Sequence, residues 1–176
     1  MHDTSVVLVC CMLLAVAAEG YPLPPQGPVL ESPSDPALDL RAAVTLEAWV
    51  RAQPQPQAGA RLIDRHESGT NNGYLLDTHP GNSLRLITSN GAVSYAAGLD
   101  ASRWWHVVGV YDAAARVQKL YVDGQEVAAK TDGESPQLPV RDLPLRLGAD
   151  QGGGTRLRGD MARAARLARF LQAEKV

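Results

Sequence analysis

Two short turn signals constrain the fold of this 176-residue chain more than any other feature. Asn90-Gly91 and Asp123-Gly124 each separate two short segments that are rich in apolar and β-branched residues. Both dipeptides suit the type I′ turn, because each of its two central positions needs a positive φ. We therefore expect each dipeptide to close an antiparallel hairpin.

Residues 44–50 read as a strand with two dissimilar faces. Strict alternation places one set of side chains on an apolar face, and the set comprises Val44, Leu46, Ala48 and Val50. The opposite face carries Thr45, Glu47 and Trp49. Similar short segments recur between turn signals, which predicts an all-β, two-sheet antiparallel sandwich. The predicted core contains Leu46, Val108, Val110, Leu120 and Leu147.

The chain divides into three parts. Residues 6–18 are almost entirely apolar and are followed by small residues, so we expect residues 1–20 to be a cleaved signal peptide, although His2 and Asp3 stand where basic residues are usual. A buried strand or a mis-assigned start is the alternative. Residues 21–28 are rich in proline and predict an extended leader. Residues 29–176 then form the sandwich domain, with a strand over 157–167 and a short turn or helix over 172–176.

Cysteine usage and charge limit the partners. Cys10 and Cys11 are the only cysteines, so a chain cleaved after residue 20 has no disulfide. Cleavage also removes two of the 19 acidic residues and leaves 17 acidic against 17 basic residues. This balance gives no attraction to nucleic acid, and no membrane insertion is expected after cleavage. We expect a secreted, periplasmic or extracellular protein that is monomeric.

Several fragments together resemble one family. They are Ser34-Asp-Pro-Ala-Leu-Asp-Leu40 followed by residues 45–50, Trp104-Trp-His-Val-Val-Gly-Val-Tyr-Asp112, Lys119-Leu-Tyr-Val-Asp-Gly124, residues 145–150, residues 158–160 and the ending over 168–176. Their order and spacing resemble the laminin-G-like modules of the concanavalin A-like lectin/glucanase type over about residues 29–176. The resemblance implies a jelly-roll sandwich.

The same resemblance carries expectations about ligands. Residues 62–65 and 73–87 resemble modules appended to glycoside hydrolases, which implies a glycan ligand. The family often holds calcium through acidic residues, but residues 25–30 contain none and Met161-Ala-Arg-Ala164 replaces an acidic late strand. Asp160 is the only carboxylate left in that late segment, so we expect no calcium and no other cofactor.

The sequence contains no recognisable catalytic or metal site. A glycosidase needs two carboxylates across the scissile bond, and the Glu-x-Asp-x-x-Glu strand of laminarinase-like relatives is absent. His66, His79 and His106 lack a second ligand at three or four residues, which argues against a metal site. We therefore expect no catalytic residues and no metal ligands.

Sugar recognition favours exposed aromatic rings ringed by amides, carboxylates or guanidinium groups. The polar loop over residues 67–73 offers such groups, and Trp105 offers a platform. A solvated hairpin connection is the alternative for the loop, and a purely structural role is the alternative for Glu47. The candidate ligand contacts are Glu47, Arg65, His66, Asn71, Asn72, Tyr74 and Trp105.

The functional hypothesis is a secreted, non-catalytic carbohydrate-binding or adhesion module, which can form part of a larger glycoside hydrolase. Its partner would be a glycan or an extracellular protein. Two alternatives are a structural or protein-interaction sandwich without glycan binding and a glycoside hydrolase. Fold resemblance alone does not separate them.

Overall fold

The computed structural model describes residues 21–23, 29–55, 59–70, 72–131, 137–139 and 142–167. These residues form strands and two short 3₁₀ turns, Pro36–Leu38 and Pro80–Asn82. No helix among them has the length and apolar character needed to cross a bilayer. The strands are β1 (Tyr21–Leu23), β2 (Leu30–Ser32), β3 (Ala43–Ala52), β4 (Ala60–His66), β5 (Gly73–His79), β6 (Ser83–Thr88), β7 (Gly91–Tyr95), β8 (Trp105–Asp112), β9 (Val117–Val122), β10 (Gln125–Thr131), β11 (Leu145–Leu147) and β12 (Gly159–Leu167).

The strands form two sheets of six strands each. Sheet A has the order β1-β12-β3-β8-β9-β10, and sheet B has the order β2-β11-β4-β5-β6-β7. Every neighbouring pair is antiparallel. The predicted all-β, two-sheet jelly-roll sandwich is therefore confirmed.

The inner faces of the two sheets form the core, and the predicted alternation of β3 is confirmed. Its four apolar residues Val44, Leu46, Ala48 and Val50 are all fully buried. Sheet B contributes Leu76 and Leu86 among others to the same cluster, and sheet A adds Leu120. Each sheet also has an outer face, turned away from its partner sheet.

The prediction was wrong about which face of β8 is buried. Leu46 lies opposite Gly109, so Val107 and Tyr111 share the inner face with this glycine and are fully buried. Val108 and Val110 lie on the outer face, where Val108 is nevertheless buried as predicted and Val110 is only half-buried. Valines occur on both sides of Gly109, so alternation of apolar residues could not distinguish the two faces.

Both predicted hairpins are present, but only one has the predicted turn. Asp123 and Gly124 have φ of 49° and 78°, as the type I′ turn requires. In the other hairpin Thr88 pairs with Gly91, which has φ of 91°, while Asn90 does not adopt a positive φ. Instead, the backbone N–H of Asn90 donates to Oγ1 of Thr88 at 3.2 Å. The side chain of Thr88 thus stabilises a different turn.

The two ends of the described chain meet at one edge of sheet A. β1 pairs with β12, and Leu23 is buried in the core. Residues 21–23 of the predicted extended leader thus form an edge strand of the sandwich. Pro22 is compatible with this position because β1 is an edge strand. β12 confirms the predicted late strand, whereas residues 1–20 and 168–176 lie outside the described residues.

A pair of matched substitutions tests the face assignment of β8. Val107→Ala should lower the free energy of unfolding by about 2 kcal/mol, because it removes two methyl groups from a fully buried side chain. Val110→Ala removes the same atoms from the half-buried outer face and should cost less than about 1 kcal/mol. Urea unfolding of both variants measures the difference. Equal costs would contradict the assignment.

Candidate functional site

The predicted ligand contacts do not converge on one site. Glu47 lies on the outer face of sheet A, whereas Arg65, His66 and Tyr74 belong to β4 and β5 of sheet B. Asn71 lies outside the described residues. The structure gives each of the remaining residues a distinct environment.

Arg65 and Tyr74 are buried, so the expectation that they are exposed is wrong. Arg65 donates to the backbone oxygens of Leu38 at 2.9 Å and Leu143 at 3.0 Å, and its Nη2 contacts Oδ1 of Asp39 at 2.7 Å. The hydroxyl of Tyr74 donates to the same Leu38 oxygen at 3.1 Å. These bonds fix the segment after the first 3₁₀ turn to sheet B, which is a structural role.

His66 and Asn72 are also buried, again contrary to expectation. Asn72 holds the turn between β4 and β5, since its side chain accepts from the N–H of Glu67 at 3.1 Å and donates to Oε2 of Glu67 at 2.9 Å. Burial and the nearby Arg61 lower the pKa of His66. Gly73 closes this turn with φ of 72°, and a Cβ there would collide with the backbone oxygen of Arg65.

Trp105 and Glu47 occupy opposite sides of sheet A. Trp105 packs against the core, and the guanidinium of Arg103 stacks 3.4 Å from its ring centroid, so the ring is not an open platform. Oε1 of Glu47 lies 2.9 Å from Nε2 of His106, whose ring lies 5.0 Å from that of Trp49. The contact with His106 gives Glu47 a structural partner.

The outer face of sheet B carries a row of alternating charges that the sequence reasoning missed. We call it the charge ladder. Its order across the sheet follows from cross-strand pairing and side-chain contacts, and its signs alternate from first to last. The members are Glu31, Arg146, Asp64, Arg61, Asp77 and Arg85.

A β-bulge in β4 makes this row possible. Arg61 pairs with Asp77 and Ile63 pairs with Leu76, which leaves Leu62 as an extra residue. Leu62 and Ile63 both point into the core. Arg61 and Asp64 therefore lie on the same outer face although they are three residues apart.

Two arginines share one carboxylate at the β5–β6 end of the ladder. Nε and Nη2 of Arg85 donate to the two oxygens of Asp77 at 3.0 and 2.7 Å, and Nη1 of Arg61 donates to Oδ2. Asp77 is 0% exposed, while the side chains of Arg61 and Arg85 are 12% and 19% exposed. The guanidinium groups thus form the solvent side of this cluster.

Asp64 is buried beside this cluster. Its Oδ1 accepts from Nε2 of Gln151 at 2.8 Å and from the N–H of His66 at 3.2 Å. Its Oδ2 lies 3.0 Å from Nε of Arg61, but the two atoms are not aligned, and neither has a hydrogen bond within the described part of the chain. Burial is the largest effect on this carboxyl and raises its pKa to about 6, despite the hydrogen bonds and Arg61.

The glycine-rich loop over residues 150–154 borders the ladder. Nη1 of Arg146 donates to the backbone oxygens of Asp150, at 3.0 Å, and of Gln151. The carboxylate of Asp150 accepts from the N–H groups of Gly152 and Gly154 at 2.9 and 2.8 Å and from the hydroxyl of Thr155. This loop is therefore fixed in place next to Asp64.

The described residues offer no metal centre. They contain no group of three His, Cys, Asp or Glu side chains that could hold an ion. Asp160 is bound to Arg51 through Nε and Nη2 at 2.9 and 2.6 Å. The carboxylate that sequence reasoning left as a calcium ligand thus has a cationic partner.

One sequence signal could have indicated the ladder. Asp77 and Arg85 each stand between apolar or small neighbours within a strand, where alternation puts them on the outer face. Arg61 could not be placed in this way, because the bulge reverses the alternation after it.

The raised pKa of Asp64 predicts a defined pH dependence of stability. The pKa is about 6 in the folded chain against 3.8 for an aspartate in the unfolded chain, so the folded state binds more protons between these values and stability falls as pH rises through them. The variant Asp64→Asn has no carboxyl group at this position, so its stability does not fall with rising pH in this way. Its stability relative to the unchanged chain should rise by roughly 3 kcal/mol from about pH 4 to about pH 7.

Urea unfolding of both proteins at several pH values measures this difference, with Asp160→Asn as the control because Asp160 is also paired with an arginine. A difference between Asp64→Asn and the unchanged chain that is constant with pH would contradict the raised pKa.

Millimolar calcium should leave the melting temperature unchanged. A ligand at a hundredfold excess over its Kd adds about 2.7 kcal/mol of stability, which corresponds to about 5 to 10 °C for a domain of this size. Thermal melting with calcium and with a chelator makes the comparison. A shift of that size would show that Asp160 binds calcium in spite of Arg51.

Comparisons with known proteins place the fold. One solved structure of similar fold is the CBM40 of the Ruminococcus gnavus IT-sialidase bound to α2,3 sialyllactose. It matches with a TM-score of 0.70 and 14% identity over 87% of this chain and 91% of that chain. A putative carbohydrate-binding protein from Bacteroides ovatus matches with a TM-score of 0.62 and 17% identity over 80% of this chain and 40% of that chain.

A structure concerned with entry of botulinum neurotoxin type C through two ganglioside molecules matches with a TM-score of 0.66 and 11% identity, over 92% of this chain and 42% of that chain. At such identities the likeness shows the fold alone. No curated protein matches the chain by sequence. The family model for the concanavalin A-like lectin/glucanases superfamily matches residues 26–176. The chain therefore belongs to the laminin-G-like family of the concanavalin A-like lectin/glucanase superfamily.

Proposed function

We propose that the chain is a non-catalytic carbohydrate-binding module that holds an acidic glycan on the outer face of sheet B, over Arg61 and Arg85. One observation carries the proposal. Two guanidinium groups meet at the single buried carboxylate of Asp77 and form the solvent side of the cluster.

The hydrogen bonds to Asp77 leave donors on both arginines. Asp77 accepts from Nε and Nη2 of Arg85 and from Nη1 of Arg61, so Nη1 of Arg85 and Nη2 of Arg61 are not used by this carboxylate. A guanidinium group binds carboxylates well because its planar donors match the carboxylate geometry. Asp77 also holds both side chains in place before a ligand arrives, which reduces the entropy lost on binding.

The surface next to Arg85 is suited to the body of a sugar. Ser94 lies opposite Arg85 and is exposed, and Ala92 lies opposite the half-buried Ile87 and is also exposed. An apolar patch beside fixed polar groups is the usual composition of a small-ligand site. Such a surface can contact the ring carbons of a sugar while the arginines bind its acidic group.

The structural neighbours support an acidic glycan as the ligand. The sialidase module of similar fold is bound to sialyllactose, and the neurotoxin structure concerns gangliosides. Sialyllactose is therefore the probe that we propose for this chain.

Asp64 and Asp77 raise the question of glycoside hydrolysis, because that reaction uses two neighbouring carboxyl groups and the pKa of Asp64 is raised. Two features support binding instead. Both carboxylates are 0% exposed, whereas a catalytic pair must reach the two sides of a glycosidic bond. Asp77 is also held by two arginines, which oppose its use as a base or nucleophile.

The proposal includes secretion and a monomeric state. Secretion is supported by the apolar run over residues 6–18, and a glycan or an extracellular protein partner agrees with that location. Because no cysteine follows residue 11, no disulfide can link two copies of the cleaved chain, which agrees with a monomer.

Isothermal titration with 3′-sialyllactose and with lactose tests the function. The acidic sugar should bind, and lactose should bind at least about tenfold more weakly, since a charge-assisted hydrogen bond contributes about 1.5 to 3 kcal/mol. Arg85→Gln should weaken sialyllactose binding by at least about tenfold for the same reason. Arg51→Gln is the matched control, because Arg51 also pairs with an aspartate but lies on sheet A.

Melting temperatures of both variants verify that they are folded. Equal loss of binding in the two variants, or equal affinity for the two sugars, would contradict the proposed site. Binding of neither sugar would favour the alternative of a structural or protein-interaction sandwich.

A further inference from the structure

We propose that Asp64 makes this binding face pH-sensitive, so that acidic glycans bind more tightly when Asp64 takes up a proton. The inference rests on the proposed function, since it concerns regulation of the same face. It starts from the environment of one carboxyl group within the charge ladder.

The geometry around Asp64 favours a proton on Oδ2. The side chain is fully buried, and its two hydrogen bonds from Gln151 and from the N–H of His66 both go to Oδ1. Oδ2 accepts no hydrogen bond among the described residues, although Nε of Arg61 lies 3.0 Å away. A buried carboxylate with one oxygen unsatisfied is costly in its charged form. Burial accordingly raises the pKa of this group to about 6.

The charged groups around Asp64 determine what the proton changes. Arg61 and His66 face it from β4, Arg146 from β11, and Asp150 from the adjoining loop. Asp77 is connected to Asp64 through its salt bridge with Arg61, and Arg85 through its own salt bridge with Asp77.

The six charges of the ladder sum to zero when Asp64 is ionised. They sum to one positive charge when Asp64 is neutral. The added charge lies at Arg61, which then keeps the salt bridge to the shared Asp77 as its closest ion pair among the described residues.

This change couples to an anionic ligand. An acidic sugar over Arg61 is repelled by ionised Asp64 and loses that repulsion when Asp64 is protonated. By linkage, the bound sugar raises the proton affinity of Asp64 by the same factor. At a separation of about 10 Å and an effective dielectric constant of about 20, one charge changes the affinity about tenfold.

His66 titrates on the same face and must be separated from Asp64. Burial and Arg61 lower the pKa of His66, so protonated His66 also attracts an anion at acid pH. The variant Asp64→Asn retains His66 and removes only the carboxyl. It therefore isolates the contribution of Asp64.

The experiment measures the Kd of 3′-sialyllactose at about pH 5 and about pH 7.5, where the sugar carboxylate stays ionised while Asp64 changes state. The unchanged chain should bind about tenfold more tightly at the lower pH. Asp64→Asn should bind about as tightly at pH 7.5 as the unchanged chain binds at pH 5, and it should keep only the pH dependence that His66 contributes. Asp160→Asn, the control on sheet A, should keep the pH dependence of the unchanged chain.

A second measurement needs no variant. Titrations near pH 6 in buffers of different ionisation enthalpy count the protons taken up on binding, and the expected number is about half a proton per sugar. No proton uptake, or an unaltered pH dependence in Asp64→Asn, would overturn the inference while leaving the binding function intact. Absence of sialyllactose binding at both pH values would overturn the proposed function, and the inference with it.

Discussion

The packing of two apolar inner faces is the constraint on which the rest of the structure depends. The described strands have no disulfide to hold them, so the core must supply their stability. Its inner faces carry mainly apolar side chains, with Gly109 in the middle of β8 where Leu76 and Leu86 approach closely. Alternation then sends charged residues to the outer faces. The chemistry of this chain is therefore a chemistry of sheet surfaces and of the loops at their ends.

Local sequence patterns were sufficient to predict the fold. The alternation of β3, the two hairpins and the Asp123-Gly124 turn depend on neighbouring residues, and all are confirmed. The predictions failed where two local arrangements of the chain are equally compatible with the sequence. The valines on both sides of Gly109 allow either face of β8 to be buried, and cross-strand register decides between them. Asn90 favours a positive φ, but the side chain of Thr88 stabilises another turn.

The site was harder to predict because its contacts join distant parts of the chain. Arg65 is charged and adjoins the polar loop over residues 67–73, which suggests exposure, yet three oxygens from residues 38, 39 and 143 surround its guanidinium group. Arg61, Asp77 and Arg85 meet only through the register of three strands. No spacing in the sequence encodes that meeting.

The bulge at Leu62 has a consequence for how this surface can change over evolution. In a regular strand, residues three apart point in opposite directions, so a cation and an anion at this spacing could not share a surface. The bulge shifts the alternation of side chains along β4. Substitutions on the inner face and substitutions on the outer face can then occur independently. Loss of Leu62 or Ile63 would restore the regular alternation with Arg61 and Asp64 still on the outer face, but it would remove one buried side chain from the core. We therefore expect insertions and deletions to be strongly selected against at this point, whereas exchanges of outward residues such as Ser94 change the outer surface without disturbing the interior.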